Sequence, residues 1–397
     1  MEGDKPGQII VYSTVWCPDC KRAKQFFGEQ RIPYVNIDIE QDAAAMEQVE
    51  KLNNGLRSIP TIVFPDGTVM VEPSNAQLAE KLGLQTRAKR SYYDAIVIGG
   101  GPAGLMAGVY LGRDGYDVLV IEKAGLGGQV GITHVLDNFP GFDEGVSGHE
   151  FAERMGRQVR RFNGEILQAQ KVTAITRDSP YLCVETSHGT TYGAMAVLMA
   201  TGARYRRLGV PGESDLIGVN VHFCASCDGA FYKGKRVLVI GGGDSGFEEG
   251  LFLTRYAAQV DIIDNHPEPK ASRTAQQKVA RQPNMKVMSN HVVTGFTGKT
   301  KLESIEVDDM TTGEHKSLHY DGVFVFIGLT PNSKIVAGLV DTDARGFVLT
   351  GSNLETSLPG LFAAGDVRAG ATHQAASAAG EGATAALMIR DYLRRVS

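Results

Sequence analysis

The sequence DAIVIGGGPAG at residues 94–104 decides the fold of the larger part of this chain. An apolar run that leads into G-x-G-x-x-G predicts a strand, a tight turn and a helix whose first amide groups bind phosphate. A helix to about Gly112 and a strand at 118–121 are predicted to follow, and Glu122 comes 23 residues after Gly99. An acid about 20 residues after the first glycine is placed to accept hydrogen bonds from a ribose diol.

The same pattern occurs a second time, in RVLVIGGGDSG at residues 236–246. A helix to about Tyr256 and a strand at 259–263 are predicted to follow, and Asp264 again comes 23 residues after the first glycine, Gly241. A lone G-x-G-x-x-G is a weak signal, but here each copy has the strand, the helix and the acid in place. The sequence therefore predicts two dinucleotide sites, a pair typical of FAD and a nicotinamide cofactor in one flavoprotein.

Residues 1–85 follow a different pattern and are predicted to form a separate unit, called the first domain below. Predicted strands at 9–12, 35–39, 61–64 and 69–71 alternate with predicted helices at 21–27, 43–52 and 74–82. The resulting order, βαβαββα, indicates a thioredoxin-like fold. Residues 86–91, TRAKRS, lack periodicity and are interpreted as a solvated linker.

Composition narrows the class of protein. The chain has 397 residues, of which 43% are hydrophobic and 21% charged, an ordinary globular balance. Its net charge of −5 argues against nucleic acid or an anionic membrane as a main partner. The first eight residues contain no apolar segment of the kind found in secretory signals, and no apolar run reaches the length of about 18 residues that a membrane span needs. We therefore expect a cytoplasmic protein.

Four of the five cysteines form two C-x-x-C pairs, Cys17/Cys20 and Cys224/Cys227. In a reducing compartment such pairs indicate redox catalysis. Zinc is the alternative, but roughly 200 residues separate the pairs, far more than in zinc ribbons, and no metal is expected. The fifth, Cys183, lies in an apolar strand-like run and is interpreted as a buried structural thiol.

The first pair has the geometry of a thiol catalyst. Cys17 is predicted at the amino end of a helix, where the dipole and the free amide groups stabilise a thiolate. It is therefore the predicted nucleophile. Cys20, one turn inside the helix, is placed to resolve a mixed disulfide.

The stretch CASCDGAF at residues 224–231, ahead of the second glycine loop, resembles the active site of low-molecular-weight thioredoxin reductases. The resemblance covers about residues 92–396 and extends to the related flavoprotein subunit of alkyl hydroperoxide reductase. It implies two Rossmann-like α/β domains: an FAD domain in two segments, residues 92–206 and 328–397, around a nicotinamide domain at 207–327. It also implies a homodimer. By the same resemblance, Cys227 faces the flavin, Cys224 attacks the incoming disulfide, and Asp228 handles protons.

Residues of this sequence that match the motifs of the family are the predicted cofactor ligands. Those expected at FAD are Gly99, Gly101, Pro102, Ala103, Gly104, Glu122, Lys123, Gly128, Gln129, Asn138, Thr201, Gly202, Gly365, Asp366, His373, Gln374 and Ala375. Those expected at NAD(P)H are Gly241, Gly243, Asp244, Ser245, Gly246, Asp264, Asn265, His266 and Lys270.

The first domain resembles glutaredoxins, and mycoredoxin-like members most closely. The resemblance rests on WCPDC at residues 16–20 and on SIPT at residues 58–61, where the family has a cis-proline. Glutathione-using glutaredoxins carry a glycine pair where this sequence has Glu72-Pro73, which argues against glutathione. The two resemblances together imply electron flow from a nicotinamide cofactor and FAD to Cys224/Cys227, then to Cys17/Cys20 and an external low-molecular-weight or protein disulfide.

The nicotinamide motif departs from that of NADPH-using thioredoxin reductases. Their His-Arg-Arg-x-x-x-Arg pattern, which grips the 2′-phosphate, aligns with Asp264-Asn265-His266 and Lys270. Two arginines are lost, and Asp264 repels a phosphate, so NADH is predicted to be preferred over NADPH. Three alternatives remain open: a flavoprotein that reduces a peroxiredoxin, a ferredoxin-driven reductase, and a flavin-bound redox sensor without turnover.

Overall fold

The computed structural model describes residues 7–133, 136 and 138–396, with the side chains of Ile132, Ser226 and Cys227 excepted. Within these residues no helix combines the length and the apolar character that a membrane crossing requires. The mixed α/β architecture predicted from the sequence is confirmed.

The first domain has the predicted order βαβαββα. Its elements are β1 (Ile9–Ser13), α1 (Pro18–Glu29), β2 (Tyr34–Asp38), α2 (Ala43–Leu52), β3 (Thr61–Val63), β4 (Val69–Val71) and α3 (Asn75–Lys81). They form a four-stranded sheet of order β2-β1-β3-β4, in which β1 and β2 are parallel and the other pairs antiparallel. Helix α1 begins three residues earlier than predicted, because Cys17 caps it and Pro18 fits the first helical turn, where no amide hydrogen is needed.

The sheet of the first domain is covered on both faces. On one side α1 and α3 bury Phe27 and Leu78 against β1 and β3. On the other side α2 buries Val49 against Tyr12. Because both faces of this small sheet are buried, reactive side chains can lie only at the ends of the strands and helices. The two cysteines of this domain lie at one such end.

The second unit contains a large mixed sheet. Its elements are β5 (Tyr92–Ile98), α4 (Pro102–Arg113), β6 (Val118–Ile121), α5 (Gly148–Arg161), β7 (Glu165–Leu167), β8 (Val172–Asp178), β9 (Tyr181–Thr186), β10 (Thr191–Met199) and β11 (Ala203–Tyr205). Strands β7-β6-β5-β10 run parallel, and β9 and β8 continue the sheet in antiparallel fashion.

A third group of elements follows, around the second glycine loop. These are α6 (Glu213–Leu216), β12 (Val221–His222), α7 (Ala225–Asp228), β13 (Arg236–Ile240), α8 (Asp244–Leu253), β14 (Gln259–Ile263), α9 (Arg273–Ala280), β15 (Met285–Met288), β16 (His291–Thr297), β17 (Ser304–Asp309), β18 (His315–Leu318) and β19 (Gly322–Val325). Strands β12-β19-β13-β14-β15 form a parallel sheet, and β16-β17-β18 form a separate antiparallel one. The latter was not predicted.

Helix α8 is shorter than the sequence indicates. It ends at Leu253, and not near Tyr256, because the amides of Arg255 and Tyr256 donate to carbonyls three residues back instead of four, which forms a turn.

The chain then returns to the large sheet. The remaining elements are β20 (Leu329–Pro331), β21 (Leu361–Ala363) and α10 (Ala375–Val396). Strand β21 pairs with β10 of the large sheet, and α10 packs on α4. Strands β11 and β20 pair with each other where the chain leaves and re-enters this unit.

Both glycine loops have a backbone conformation and a close backbone contact that require glycine. Gly99 has φ of +110°, and a Cβ there would lie 2.3 Å from the Ala200 carbonyl oxygen. Gly241 has φ of +133° and is equally close to the carbonyl of Phe326, at 2.4 Å. L-residues with a side chain rarely adopt such φ values. The two strand-turn-helix units predicted from the sequence are thus present with the same backbone geometry.

The linker is attached to the large sheet and is not freely solvated as its charge run indicated. The Lys89 amide donates to the Glu165 carboxylate at 2.8 Å, and the Ala88 amide donates to the Tyr192 hydroxyl at 3.2 Å. Gln85 also donates to Glu165 through its side-chain amide. A carboxylate at the start of β7 therefore fixes the segment that joins the first domain to the rest of the chain.

Candidate redox and dinucleotide sites

Cys17 and Cys20 lie at the amino end of α1. Cys17 is the N-cap residue, and its sulfur accepts a hydrogen bond from the Cys20 amide at 3.0 Å. The side chain of Cys17 is buried, and that of Cys20 has no exposed surface. The amide contact and the helix dipole both favour negative charge on the Cys17 sulfur.

The two thiols have different environments. Burial raises the pKa of Cys20 to about 12, and the hydrogen bond with Cys17 acts in the same direction, while Lys24 opposes it weakly. A raised thiol pKa means that Cys20 stays protonated through the neutral range. These environments are compatible with the roles predicted from the sequence, a nucleophilic Cys17 and a resolving Cys20.

The surroundings of Cys17 are suited to a disulfide partner. The Ile59–Pro60 peptide bond is cis, as the glutaredoxin resemblance implies, and the Ile59 carbonyl oxygen lies 3.7 Å from the Cys17 sulfur. Trp16 is 63% exposed, with its indole nitrogen donating to Glu40 at 2.8 Å. Since Val15 is exposed as well, an apolar rim lies open beside the nucleophile.

The second cysteine pair lies at α7. Cys224 is disulfide-bonded, whereas the side chain of Cys227 lies outside the described residues. Asp228 closes α7, with its Oδ2 3.4 Å from Nδ1 of His222. Nε2 of His222 in turn lies 2.7 Å from the hydroxyl of Tyr232. His222 and Tyr232 are buried, whereas Asp228 is partly exposed. Sequence reasoning missed His222 and Tyr232, although both lie within five residues of the C-x-x-C pair.

Tyr205 lies near the second cysteine pair and near Asp366 of a predicted FAD loop. Its ring stacks on Phe223 with the ring centres 5.2 Å apart. Burial raises the pKa of Tyr205 to about 12, and the carboxylates of Asp366 and Asp228 act in the same direction. Both carboxylates are therefore within electrostatic range of one hydroxyl. The sequence offered a signal for Tyr205 and Phe223, since each lies next to a motif already singled out, but neither was chosen.

The first glycine loop and Glu122 fit an adenosine diphosphate. The Glu122 carboxylate is buried and accepts from the amides of Gly100, at 2.6 Å, and Ala124, at 2.8 Å. Burial raises its pKa. A Cβ on Gly101, by contrast, would point into open space. That space beside the first turn of α4 is what the second glycine of the motif provides for a pyrophosphate.

Other predicted FAD residues from distant parts of the chain come into contact. The Asn138 amide donates to the Gln374 side chain at 3.2 Å, although 236 positions separate the two. Nδ1 of His373 is buried without a hydrogen-bond partner, and the Asp366 carboxylate is 3.7 Å away, too far for a hydrogen bond. An orphaned ring nitrogen at this place fits a site that a cofactor completes.

Two residues that the sequence did not single out support these loops. Asn332 donates to the Thr201 carbonyl at 2.8 Å and accepts from the Thr201 hydroxyl through its own carbonyl at 2.9 Å. Glu381 accepts from the Gly365 amide at 2.8 Å. Gly202 follows Thr201 in a left-handed conformation, with φ of +67°. Lys123 and Gln129, both predicted FAD ligands, are exposed.

The second glycine loop carries the predicted nicotinamide site. Asp264 is 6% exposed, and its Oδ1 is 3.0 Å from Nδ1 of His266. Its Oδ2 has no hydrogen-bond partner. A Cβ on Gly242 would lie 2.0 Å from that oxygen, so the carboxylate rests directly on the glycine loop. A buried acceptor without a donor at this point fits a ribose hydroxyl.

The remaining predicted nicotinamide residues differ in their exposure and in their contacts. Asn265 and Lys270 are exposed beside Asp264. Ser245 is exposed in the first turn of α8. The Asp244 carboxylate, in contrast, accepts from the Ser272 amide at 2.7 Å, which lowers its pKa. Asp244 therefore ties the glycine loop to the start of α9 and does not point freely into the site.

The expectation for the fifth cysteine is wrong. Cys183 was expected to be buried, but its side chain in β9 is partly exposed, because alternate residues of this strand face outward. Among the residues that the structure describes, no group of three or more His, Cys, Asp or Glu side chains could hold a metal ion.

Comparison with known proteins agrees with this geometry. Residues 93–382 match the family model of pyridine nucleotide-disulphide oxidoreductases, and residues 9–70 match that of glutaredoxins. The chain is 38% identical to the thioredoxin reductase of Treponema pallidum, over 76% of this chain and 97% of that protein. It is 40% identical to a bifunctional thioredoxin reductase/thioredoxin of Mycobacterium leprae, over 77% of this chain and 67% of that protein.

A solved structure gives the same result. The thioredoxin reductase of Streptococcus pyogenes superimposes with a TM-score of 0.72 at 36% identity, over 77% of this chain and 99% of that one. The chain therefore belongs to the pyridine nucleotide-disulphide oxidoreductases of the thioredoxin reductase type, and it carries a glutaredoxin domain fused ahead of the reductase.

Proposed function

We propose that this protein is an NADH-dependent disulfide reductase whose own glutaredoxin domain is the first acceptor of its electrons. One observation carries the proposal. The same chain contains a disulfide-bonded Cys224 and a buried Cys17/Cys20 pair in which Cys17 is the N-cap of α1. The first is the oxidised form of a reductase centre, and the second is a thiol catalyst that such a centre could reduce.

The family uses FAD and NADPH. The Gly101 loop and Glu122 would hold FAD, and the Gly243 loop and Asp264 would hold the nicotinamide cofactor. When bound, FAD supplies the two-electron carrier between that cofactor and the disulfide of Cys224. The orphaned Oδ2 of Asp264 supports a free ribose hydroxyl, and so NADH, as the electron donor.

The transfer between the two pairs is thiol-disulfide exchange. The thiolate of Cys224 attacks the disulfide of Cys17 and Cys20, forming one sulfur-sulfur bond and breaking another. Cys227 then attacks the mixed disulfide, which restores the second pair as a disulfide and leaves the first as two thiols. Asp228, with His222 3.4 Å away, is placed to supply or take the proton that each departing or attacking sulfur requires.

The reduced first domain then acts outward. The Cys17 thiolate attacks an external low-molecular-weight or protein disulfide, and Cys20 resolves the mixed disulfide while giving up its proton. Trp16 and Val15 offer the exposed surface on which that disulfide can dock. Because the fused domain lacks a glycine pair at Glu72-Pro73, we propose a substrate other than one carrying glutathione.

A homodimer is part of the proposal, by the family resemblance. Helix α1 has 12 residues and is about 18 Å long, and Cys17 lies at the end opposite to the residues that touch the reductase. That contact therefore does not involve the Cys17 end of the helix. We propose that the Cys17 pair exchanges with the second cysteine pair of its own chain or of the partner chain in the dimer.

The test is NADH oxidation driven by a mixed disulfide between a small thiol and a peptide, compared between the wild type and Cys17→Ser. We expect the variant to lose at least about tenfold in rate, since its nucleophile is gone. NADH-driven reduction of ferricyanide, which takes electrons without thiols, should stay unchanged. Cys183→Ser is the matched control with normal rates. Equal disulfide-dependent rates in Cys17→Ser and the wild type would refute the proposal.

A further inference from the structure

The end of α1 is inserted into the reductase at a segment that follows Glu122. The Arg31 guanidinium donates to the carbonyl of Leu126 and, at 2.6 Å, to that of Gly128. A Cβ on Gly131 would lie 1.9 Å from Nη1 of the same arginine. Any side chain at this position would therefore collide with the guanidinium. The cation is thus enclosed by backbone that belongs to another domain.

Two neighbours of Arg31 strengthen the contact. The Glu29 carbonyl accepts from the Gly125 amide at 2.8 Å. The Gln30 side chain donates to the Lys123 carbonyl at 3.1 Å. Residues 29–31 therefore follow the backbone of residues 123–128, which we call the 123–128 segment.

The 123–128 segment is directly joined to the predicted phosphate loop. The Gly127 amide donates to the Gly100 carbonyl at 2.7 Å. A Cβ on Gly128 would lie 3.4 Å from the Cα of Gly101. The arginine held by Gly128 is accordingly separated from the phosphate loop by a single layer of glycine backbone.

The charges at this place are complementary to a nucleotide. Burial lowers the pKa of Arg31, while the nearby Glu122 carboxylate favours its charged form. Arginine remains protonated under such conditions, so the first domain places a cation beside a predicted diphosphate site. Planar guanidinium groups bind phosphate oxygens well.

Gln30 provides a second, independent observation. Its side chain is 7% exposed, and its Oε1 is buried without any hydrogen-bond partner. A buried amide oxygen without a donor is costly, at about 1 to 3 kcal/mol, and requires an explanation. An adenosine offers N–H and O–H donors that such an oxygen can accept.

We propose that Gln30 and Arg31 of the glutaredoxin domain form part of the FAD site, at its adenosine diphosphate end, so that this domain and the cofactor bind the reductase cooperatively. The inference rests on the proposed function only in that FAD is the cofactor. Its consequence is reciprocal: FAD favours the attached position of the first domain, and the attached domain favours FAD, by the same factor.

The experiment titrates FAD into the deflavinated full-length chain and follows quenching of flavin fluorescence, without NADH or a disulfide. Arg31→Ala and Arg31→Gln are compared with Arg57→Ala, which changes an exposed arginine of the same domain that pairs with Glu50 at the surface. We expect Kd for FAD to rise about tenfold or more in both Arg31 variants, because the cation beside the diphosphate end of the site is gone, and to be unchanged in Arg57→Ala.

Hydrogen exchange of the Gly125 amide adds a readout that a merely structural role would not couple to FAD. In the wild type, FAD should slow exchange of this amide, and in Arg31→Gln that slowing should be lost. Wild-type Kd in folded Arg31 variants, or exchange at Gly125 that is insensitive to FAD in the wild type, would overturn the inference while leaving the proposed function intact. Failure of the wild type to bind FAD would overturn both.

Discussion

Cys224→Ser is expected to lower the rate of disulfide reduction by roughly a thousandfold or more. Removing a covalent nucleophile deletes the reaction path, and losses of that order follow. The measurement is steady-state NADH oxidation in the presence of the mixed disulfide. Bleaching of the flavin by NADH under anaerobic conditions should persist, because the glycine loops and Asp264 are untouched.

The control for Cys224→Ser is Cys183→Ser, which removes a partly exposed thiol in β9, outside both C-x-x-C pairs. That variant should retain wild-type rates with every acceptor. Substantial disulfide reduction by Cys224→Ser would mean that electrons pass from the flavin to the substrate by another route, and the role assigned to α7 would be wrong.

The second large effect concerns the nicotinamide cofactor. We expect kcat/KM for NADH to exceed that for NADPH by on the order of a hundredfold, since two charged contacts to the 2′-phosphate are lost at roughly 1.5 to 3 kcal/mol each. The buried Asp264 carboxylate also repels a phosphate. Its Oδ2, which lacks a donor, can accept a hydrogen bond from a ribose hydroxyl. Initial rates at varied concentrations of each cofactor measure the ratio.

Introducing the missing arginines should reverse much of this preference. Asn265 is exposed beside Asp264 and His266, so the double variant Asn265→Arg/His266→Arg places two guanidinium groups where a 2′-phosphate would lie. Kinetics should then show NADPH gaining and NADH little changed. Lys286→Arg, an exposed change on β15 at the edge of the same sheet, serves as the control. A tenfold or greater NADPH advantage in the wild type would contradict the prediction outright.

Much of the fold could be predicted because its signals are local. The glycine loops and the order of elements in the first domain follow from the spacing of glycines and apolar residues along the chain. The end of α8 was misplaced because the backbone turn that follows Leu253 is not marked in the hydrophobic pattern. The antiparallel sheet β16-β17-β18 was not predicted because no motif accompanies it.

Site residues could be predicted only where they belong to a motif or to a stretch that resembles a known family. Cys17 is marked by the C-x-x-C motif, and Asp264 is marked by its distance from a glycine loop. His222, Tyr205 and Arg31 are not marked in this way, because their partners come from other elements: Asp228, Asp366 and Gly128, respectively. The contact of the first domain with the reductase could not be predicted at all, since the apolar pattern contains no information on how two folded units meet.

The central claim, that electrons pass through both cysteine pairs of one protein, is tested most directly by anaerobic titration of the yellow protein with NADH. The wild type and the double variant Cys17→Ser/Cys20→Ser are followed by flavin bleaching to the end point. Our account predicts that the wild type takes up one more two-electron equivalent than the variant before the flavin is fully reduced. Equal uptake by the two proteins would show that the first domain receives no electrons from the reductase, and would contradict the account.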